Sequence, residues 1–223
     1  MTEVGRCGVE LDRLRIDAGR RTSLAGAVAG SLFAVTWGNG LVVAGRRLGH
    51  DQVITLLGVP ALGVAGVLWL HRRKWPTRAF GLRWPEADPP RRLGFALVGV
   101  AAAALVFGAA GLALGDAGLR LRLARLVIGT AAGEELLHRG VLLALWSSTP
   151  LRGPWVLAAN MVAFGAWHAA GAVHPDGFKP AEVIGPALAT VPLLWARLRF
   201  RSLLIPTLFH AATNMPGLVT AHL

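Results

Sequence analysis

Long apolar stretches recur along this 223-residue chain, and they limit its possible folds more than any other feature. Hydrophobic residues make up 54% of the sequence, charged residues 16%, and the mean hydropathy is +0.52. A helix needs about 20 apolar residues to cross a bilayer. Stretches of about this length cover 24–44, 53–70, 93–114, 123–146, 154–170, 181–196 and 203–220. They predict an all-α fold, a polytopic transmembrane bundle of seven spans, or of eight if a short or re-entrant span is added.

Positive charge gathers at the ends of these stretches and gives the bundle an orientation. The net charge is +11, but no nucleic-acid motif accompanies the arginines, so we expect no nucleic-acid partner. With seven alternating spans, and Arg125 counted with the loop before the fourth, 16 Lys and Arg residues fall on the side of the N-terminus and six on the other side. The positive-inside rule then places the N-terminus in the cytoplasm. The composition, rich in Ala, Gly, Arg and Leu, suggests a multi-pass protein of a bacterial cytoplasmic membrane that contacts anionic lipids.

The middle of the fourth stretch contains the charged side chains Glu134, Glu135 and Arg139. Each costs about 2.5–3.5 kcal/mol at the centre of a membrane helix, so they are expected to face partners inside the bundle. Glu135 and Arg139 are four residues apart, which predicts an ion pair on one helix face. Glu134 is turned about 100° from Glu135 and is left outside that pair. Its carboxylate suits a general base that takes a proton from water.

Two later stretches carry polar residues at a spacing of four, His168 with Phe164 and His210 with Asn214. The Phe164 ring can pack under the His168 imidazole. A carboxylate, two imidazoles and a carboxamide can hold a divalent metal ion that activates water. Without a metal, they can position the water and stabilise an oxyanion. Purely structural roles stay open for each element alone: an internal ion pair, a histidine that bridges helices, or an interhelical hydrogen bond from Asn214.

Three ordered motifs make a resemblance specific. Residues 134–139 read EELLHR and match EExxxR, residues 164–168 match FxxxH, and residues 210–214 match HxxxN. In this order and within apolar stretches, the set resembles the CAAX protease and bacteriocin-processing family of intramembrane endopeptidases. The resemblance covers about 123–220. At His138 the sequence departs from the family, where an aromatic residue commonly precedes the arginine, and we expect the imidazole to take the place of that ring in packing.

The resemblance implies a role for each site residue. Glu134 would activate the hydrolytic water, and His168 and His210 would orient it or, with Glu134, bind a metal, which would most naturally be zinc. A glutamate mechanism without metal is equally compatible. Asn214 with His210 would stabilise the oxyanion, while Glu135 and Arg139 would organise the site.

Organisation and function follow as expectations. Residues 1–23 would form a cytoplasmic arm, 24–115 accessory transmembrane helices, and 116–223 the catalytic core. The substrates would be peptides or proteins at the membrane, either membrane-associated or CAAX-like. The alternative is a non-proteolytic membrane protein that conducts ions or protons, or a bacteriocin-immunity or partner-binding scaffold, because buried carboxylates and histidines also mark proton paths.

Overall fold

The computed structural model describes residues 22–84 and 122–220, which are mainly helical. Before the gap lie α1 (Leu24–Leu48), α2 (Asp51–Arg72) and a 3₁₀ turn (Thr77–Phe80). After it, α3 runs without a break through Arg125–Ala132, Gly133–Glu135, Leu136–Leu142 and Leu143–Ser147. The remaining elements are α4 (Gly153–Trp167), a hairpin of β1 (Val173–His174) and β2 (Gly177–Phe178), α5 (Ala181–Phe200) and α6 (Leu204–Thr220).

Six of the seven apolar stretches coincide with described helices, which differ from them mainly at the ends. α1 continues past residue 44 to Leu48, where Gly49 ends it with a φ of 68°. α4 ends at Trp167, short of the predicted residue 170, and α5 extends beyond 196 to Phe200. The stretch 93–114 and the arm up to residue 21, with its single cysteine, lie outside the described residues.

Three described helices are long and apolar enough to cross a membrane: Leu24–Leu48, Val53–Arg72 and Ala181–Phe200. α4 has 15 residues and α6 has 17, fewer than the ~20 that a membrane crossing needs. The fold is therefore a helical membrane bundle in its described part, and the total of seven or eight spans stays a prediction.

α3 lies against α2 and departs from regular α-helical geometry. Residues Arg125–Ala132 and Leu136–Leu142 are π-helical, on either side of the α-helical turn that holds the two glutamates. π-Helical turns are rare and occur often at functional sites. Gly129 and Gly133 let α2 approach, because a Cβ on Gly129 would lie 2.9 Å from the Leu56 Cα, and one on Gly133 would lie 3.0 Å from the Pro60 nitrogen. Small residues spaced by four are a common means of close packing between membrane helices.

Hydrogen bonds between helix ends show which ends lie on the same side of the bundle. Ser148, after α3, donates a hydrogen bond to Thr22, before α1. The buried Arg197 near the end of α5 donates to the Ala79 carbonyl in the 3₁₀ turn. These ends form one side, which we call the arginine-rich end; its described basic residues are Arg72, Arg73, Lys74, Arg78, Arg83, Arg152, Arg197, Arg199 and Arg201. The C-terminal ends of α1 and α4 and the hairpin lie on the opposite side.

Candidate active site

Helices α3, α4 and α6 meet at Glu134. Its side chain is buried on α3, and its Oε1 accepts a hydrogen bond of 3.1 Å from the Trp167 indole at the end of α4. Its Oε2 is buried and makes no hydrogen bond to the described residues. That oxygen lies 3.9 Å from His168 Nε2 and 3.8 Å from His210 Nε2. The structure thus brings together the carboxylate and both imidazoles that the sequence singled out.

The two histidines present the same nitrogen to Glu134. His168 Nδ1 donates to the Phe164 carbonyl at 2.8 Å, and His210 Nδ1 donates to Glu135 Oε1 at 2.9 Å. Because a carbonyl or a carboxylate can only accept, Nδ1 carries the proton in both rings. The other ring nitrogen, Nε2, therefore faces Glu134 in both residues, and it is an acceptor whenever it carries no second proton. Three acceptors face one another at this point, and such an arrangement suits a water molecule, a shared proton or a cation.

The predicted ion pair between Glu135 and Arg139 is present. Both side chains are fully buried, and Arg139 Nη1 lies 3.2 Å from Glu135 Oε1. This contact is an ion pair by distance, without the angle of a good hydrogen bond. Arg139 also donates to Thr190 on α5 at 3.3 Å. Since His210 shares the same Glu135 oxygen, the pair joins α3 to both α5 and α6.

Phe164 is the aromatic centre of the site. The predicted packing against His168 is present, with ring centroids 4.8 Å apart and the planes at 79°. His210 and His138 also contact the Phe164 ring edge to face, and the Arg139 guanidinium lies 4.0 Å from its centroid. His138 packs in addition on Trp167, and within the part of the chain that the structure describes neither of its ring nitrogens has a hydrogen-bond partner. His138 therefore packs as an aromatic ring, as predicted.

Asn214 follows His210 by one turn of α6 and is half-buried. Its carboxamide makes no hydrogen bond to the described residues, so the structure gives its side chain no partner in the site. Phe164, Trp167 and Thr190 were not assigned to the site as partners of the charged residues. Trp167 lies inside the FxxxH motif, so its position next to His168 was the available signal.

The donor set has the chemistry of a metal site. Zinc prefers two imidazoles whose other nitrogen is held by a carbonyl or a carboxylate, with a carboxylate such as that of Glu134 as the third ligand. Among the described residues, however, no group of three or more His, Cys, Asp or Glu side chains is arranged to hold a metal ion. These residues are of the types that bind a metal ion. The same arrangement can also position a water molecule without a metal.

The comparisons with known proteins agree with the motifs. Residues 116–216 match the family model described as Rce1-like, type II CAAX prenyl endopeptidase. That range contains Glu134, Glu135, Arg139, His168, His210 and Asn214. Comparison with the curated proteins and with the solved structures gives no match. The match, which covers a little under half of the chain, supports placing this region in the CAAX protease and bacteriocin-processing family, a family of membrane proteases.

Proposed function

We propose that this protein is an intramembrane endopeptidase in which Glu134 activates water to hydrolyse a peptide bond of a membrane-associated or CAAX-like substrate. One observation carries the proposal: Glu134 Oε2 is buried and unpartnered, at 3.8–3.9 Å from two imidazole nitrogens. A carboxylate held in this way by Trp167, with one oxygen free, is prepared to accept a proton.

The first step is the addition of water. A water molecule between Glu134, His168 and His210 gives one proton to Glu134 Oε2, and its oxygen bonds to the scissile carbonyl carbon. The carbonyl π electrons move to oxygen and form a tetrahedral oxyanion. Asn214, on the same helix as His210, is the proposed donor to that oxyanion, and His210 donates as well once its Nε2 has taken up a second proton from solvent. Glu135 supports this role because its carboxylate holds His210 Nδ1 at 2.9 Å.

The second step breaks the C–N bond. The oxyanion electrons re-form the carbonyl, and the leaving nitrogen takes the proton stored on Glu134. The products are an amine and a carboxylic acid, which then loses its remaining proton to the amine or to solvent, and Glu134 returns to its ionised form. Arg139 takes no part in the proton transfer; its ion pair with Glu135 and its contact with Phe164 fix the helices around the site.

Zinc is the metal that the donor set would suit. Glu134, His168 and His210 would hold it, and its contribution would be to make bound water acidic. Removal of metal distinguishes the two cases. If the glutamate acts without metal, cleavage survives a zinc chelator; if zinc is required, cleavage is lost and returns when zinc is added back.

The test of the reaction uses purified full-length protein in proteoliposomes of phosphatidylethanolamine and phosphatidylglycerol. The probe is an internally quenched peptide that ends in a farnesylated CAAX sequence, with the unprenylated peptide beside it. In H₂¹⁸O, hydrolysis adds one ¹⁸O atom to the new carboxylate, which mass spectrometry detects. Absence of cleaved product from both peptides would contradict the proposal in this form. Glu134-dependent proton flux through the same vesicles, without cleavage, would instead favour the transport alternative.

The orientation follows as part of the proposal. With the N-terminus inside, the arginine-rich end is cytoplasmic and contacts anionic lipids. His168, at the end of α4 on the opposite side, has 28% of its side chain exposed, while Glu134 has only 6% exposed. We therefore propose that water and substrate reach the site from the His168 side of the bundle.

A further inference from the structure

Helix α1, outside the region that matches the family model, makes direct contact with the segment that carries His168. The backbone after α4 turns away at His168, and its carbonyls lose their helical partners there. Arg46 Nη1 donates to the carbonyls of Ala170 at 3.0 Å and Val173 at 2.9 Å, and its Nη2 donates to that of Gly171 at 3.0 Å. One guanidinium thus binds three carbonyls of the turn that follows His168.

Asn39 holds the same segment closer to the site. Its Nδ2 donates to the Ala166 carbonyl at 2.9 Å, and its Oδ1 accepts a hydrogen bond from the Ala170 amide. The carboxamide therefore bridges the residues on either side of Trp167 and His168. Asn39 and Arg46 are seven residues apart, about two helical turns, so both project from one face of α1.

Gly38 completes this surface. A Cβ at this position would overlap the Trp167 ring, so the absence of a side chain lets α1 lie directly on the indole. Trp167 is the residue that donates to Glu134 Oε1. Gly38, Asn39 and Arg46, which we call the α1 clamp, therefore contact Trp167 and the backbone on either side of His168.

We propose that the α1 clamp positions His168 and Trp167 against Glu134, which makes Asn39 and Arg46 positioning residues of the active site. His168 needs such support because it lies at a helix end and is partly exposed, while its Nε2 must stay near Glu134 Oε2. A displacement of about 1 Å in an active site can cost up to a hundredfold in rate. The catalytic half of this proposal, an effect of the α1 clamp on kcat, rests on the proposed function. The structural half, the position of His168, rests on geometry alone.

The test compares Asn39→Leu, Arg46→Gln and Arg46→Lys with Arg47→Gln. Arg47 is the matched control, because it is an exposed arginine on the same helix turn for which no contact with the 166–173 segment is found. We expect kcat for the farnesylated peptide to fall about tenfold in Asn39→Leu and Arg46→Gln, with KM within about twofold of wild type. Arg46→Lys should recover part of the rate, and Arg47→Gln should match wild type.

A second readout is independent of cleavage. In protein labelled with ¹⁵N-histidine, the His168 resonances, assigned by their loss in His168→Gln, should shift in Asn39→Leu and Arg46→Gln but not in Arg47→Gln. Unshifted His168 resonances would overturn the proposal, even if kcat fell, because the loss would then be merely structural. Shifted resonances with wild-type kcat would overturn the catalytic half. If wild-type protein cleaves no peptide while the resonances shift, the proposed function fails and the positioning of His168 stands.

Discussion

The two carboxylate oxygens of Glu134 have different environments, and the difference assigns them different tasks. Oε1 is fixed by the Trp167 indole, while Oε2 faces the two imidazoles without a hydrogen bond. A carboxylate that is held by one oxygen keeps the other oriented for proton transfer. In the neighbouring Glu135, Arg139 and His210 share Oε1, and Oε2 is likewise buried without a hydrogen bond to the described residues. The two carboxylates differ because Glu134 Oε2 is the oxygen that lies near both imidazoles.

Substitution of Trp167 by Phe tests this division. Trp167→Phe removes the Nε1 hydrogen bond and leaves Glu134 Oε1 buried without its donor, at a cost of about 1.5–3 kcal/mol for a bond to a charged group. We expect kcat to fall at least about tenfold, since 1.4 kcal/mol corresponds to one decade. Trp155→Phe, on the same helix at a position 67% exposed, is the control. Equal rates in both variants would show that the indole does not hold the base.

Substitution of His138, unlike that of Trp167, is expected to leave the activity intact. Both of its ring nitrogens are buried without a partner, which costs about 1–3 kcal/mol relative to a satisfied group. His138→Phe keeps an aromatic ring against Phe164 and Trp167 and removes those nitrogens. We expect cleavage to be retained and the free energy of unfolding, measured by titration with SDS, to rise by about 1 kcal/mol. A large loss of kcat in a folded variant would give the imidazole a part in the chemistry.

At the scale of residues, the sequence predicted contacts between side chains four residues apart on one helix. Spacing alone indicated the Glu135–Arg139 pair and the packing of Phe164 on His168, and both are present. It could not indicate which helices touch, so the donor from Trp167 and the contact of Arg139 with Thr190 were missed. Nor could it indicate that His210 would bind Glu135 through one nitrogen and face Glu134 through the other.

At the scale of elements, the packing of α2 on α3 depends on two glycines. The Leu56 backbone lies against Gly129, and a backbone cannot move aside as a flexible side chain can. Gly129→Val should therefore separate α2 from the helix that carries Glu134. Overpacking of this kind costs about 1–3 kcal/mol. Gly40→Val on α1, where a Cβ would meet nothing within 4 Å, is the matched control.

The free energy of unfolding of Gly129→Val and Gly40→Val can be measured by titration with SDS. We expect Gly129→Val to lower the free energy of unfolding and kcat together, because α2 packs along the π-helical part of α3. Gly40→Val should leave both at the wild-type level. Equal stability and activity of Gly129→Val and Gly40→Val would contradict the close contact between α2 and α3 at Gly129.

Helix positions were easier to predict from sequence than helix geometry. The apolar stretches located six described helices because about 20 apolar residues are a strong signal. The π-helical turns of α3 left no such signal, since they arise where packing partners on several sides compete for the orientation of one helix. The ends of α4 and α5 shifted for local reasons: Arg46 and Asn39 bind the backbone after Trp167, and Arg197 is buried as part of α5.

At the scale of the whole molecule, α1 and α2 belong to the structural surroundings of the site although they precede the Rce1-like region. α1 contacts the His168 segment and α2 contacts Gly133, next to Glu134. The predicted division into accessory helices at 24–115 and a catalytic core at 116–223 follows the sequence motifs. In the structure, the first two helices pack directly on that core, so we expect the core alone to be incomplete as an enzyme.

Cysteine labelling in intact cells tests the orientation. In a Cys7→Ser background, Trp84→Cys marks the arginine-rich end and Asp176→Cys marks the hairpin on the opposite side; the native side chains are 83% and 69% exposed. The positive-inside rule predicts that a membrane-impermeant maleimide labels Asp176→Cys directly and Trp84→Cys only after permeabilisation. The reverse pattern would place the arginine-rich end outside and the His168 side in the cytoplasm.

The rate of Glu134→Gln against Glu182→Gln tests the central claim most directly. Glu182 pairs with His174 near the hairpin, is 46% exposed and has no contact with the site residues, so its substitution controls for the loss of a carboxylate. With the farnesylated peptide and matched amounts of folded protein in vesicles, we predict that Glu134→Gln loses kcat by a factor of about 10² or more, because a glutamine cannot take the proton of water. Glu182→Gln should cleave at the wild-type rate. Cleavage by Glu134→Gln within a few-fold of wild type would contradict the account.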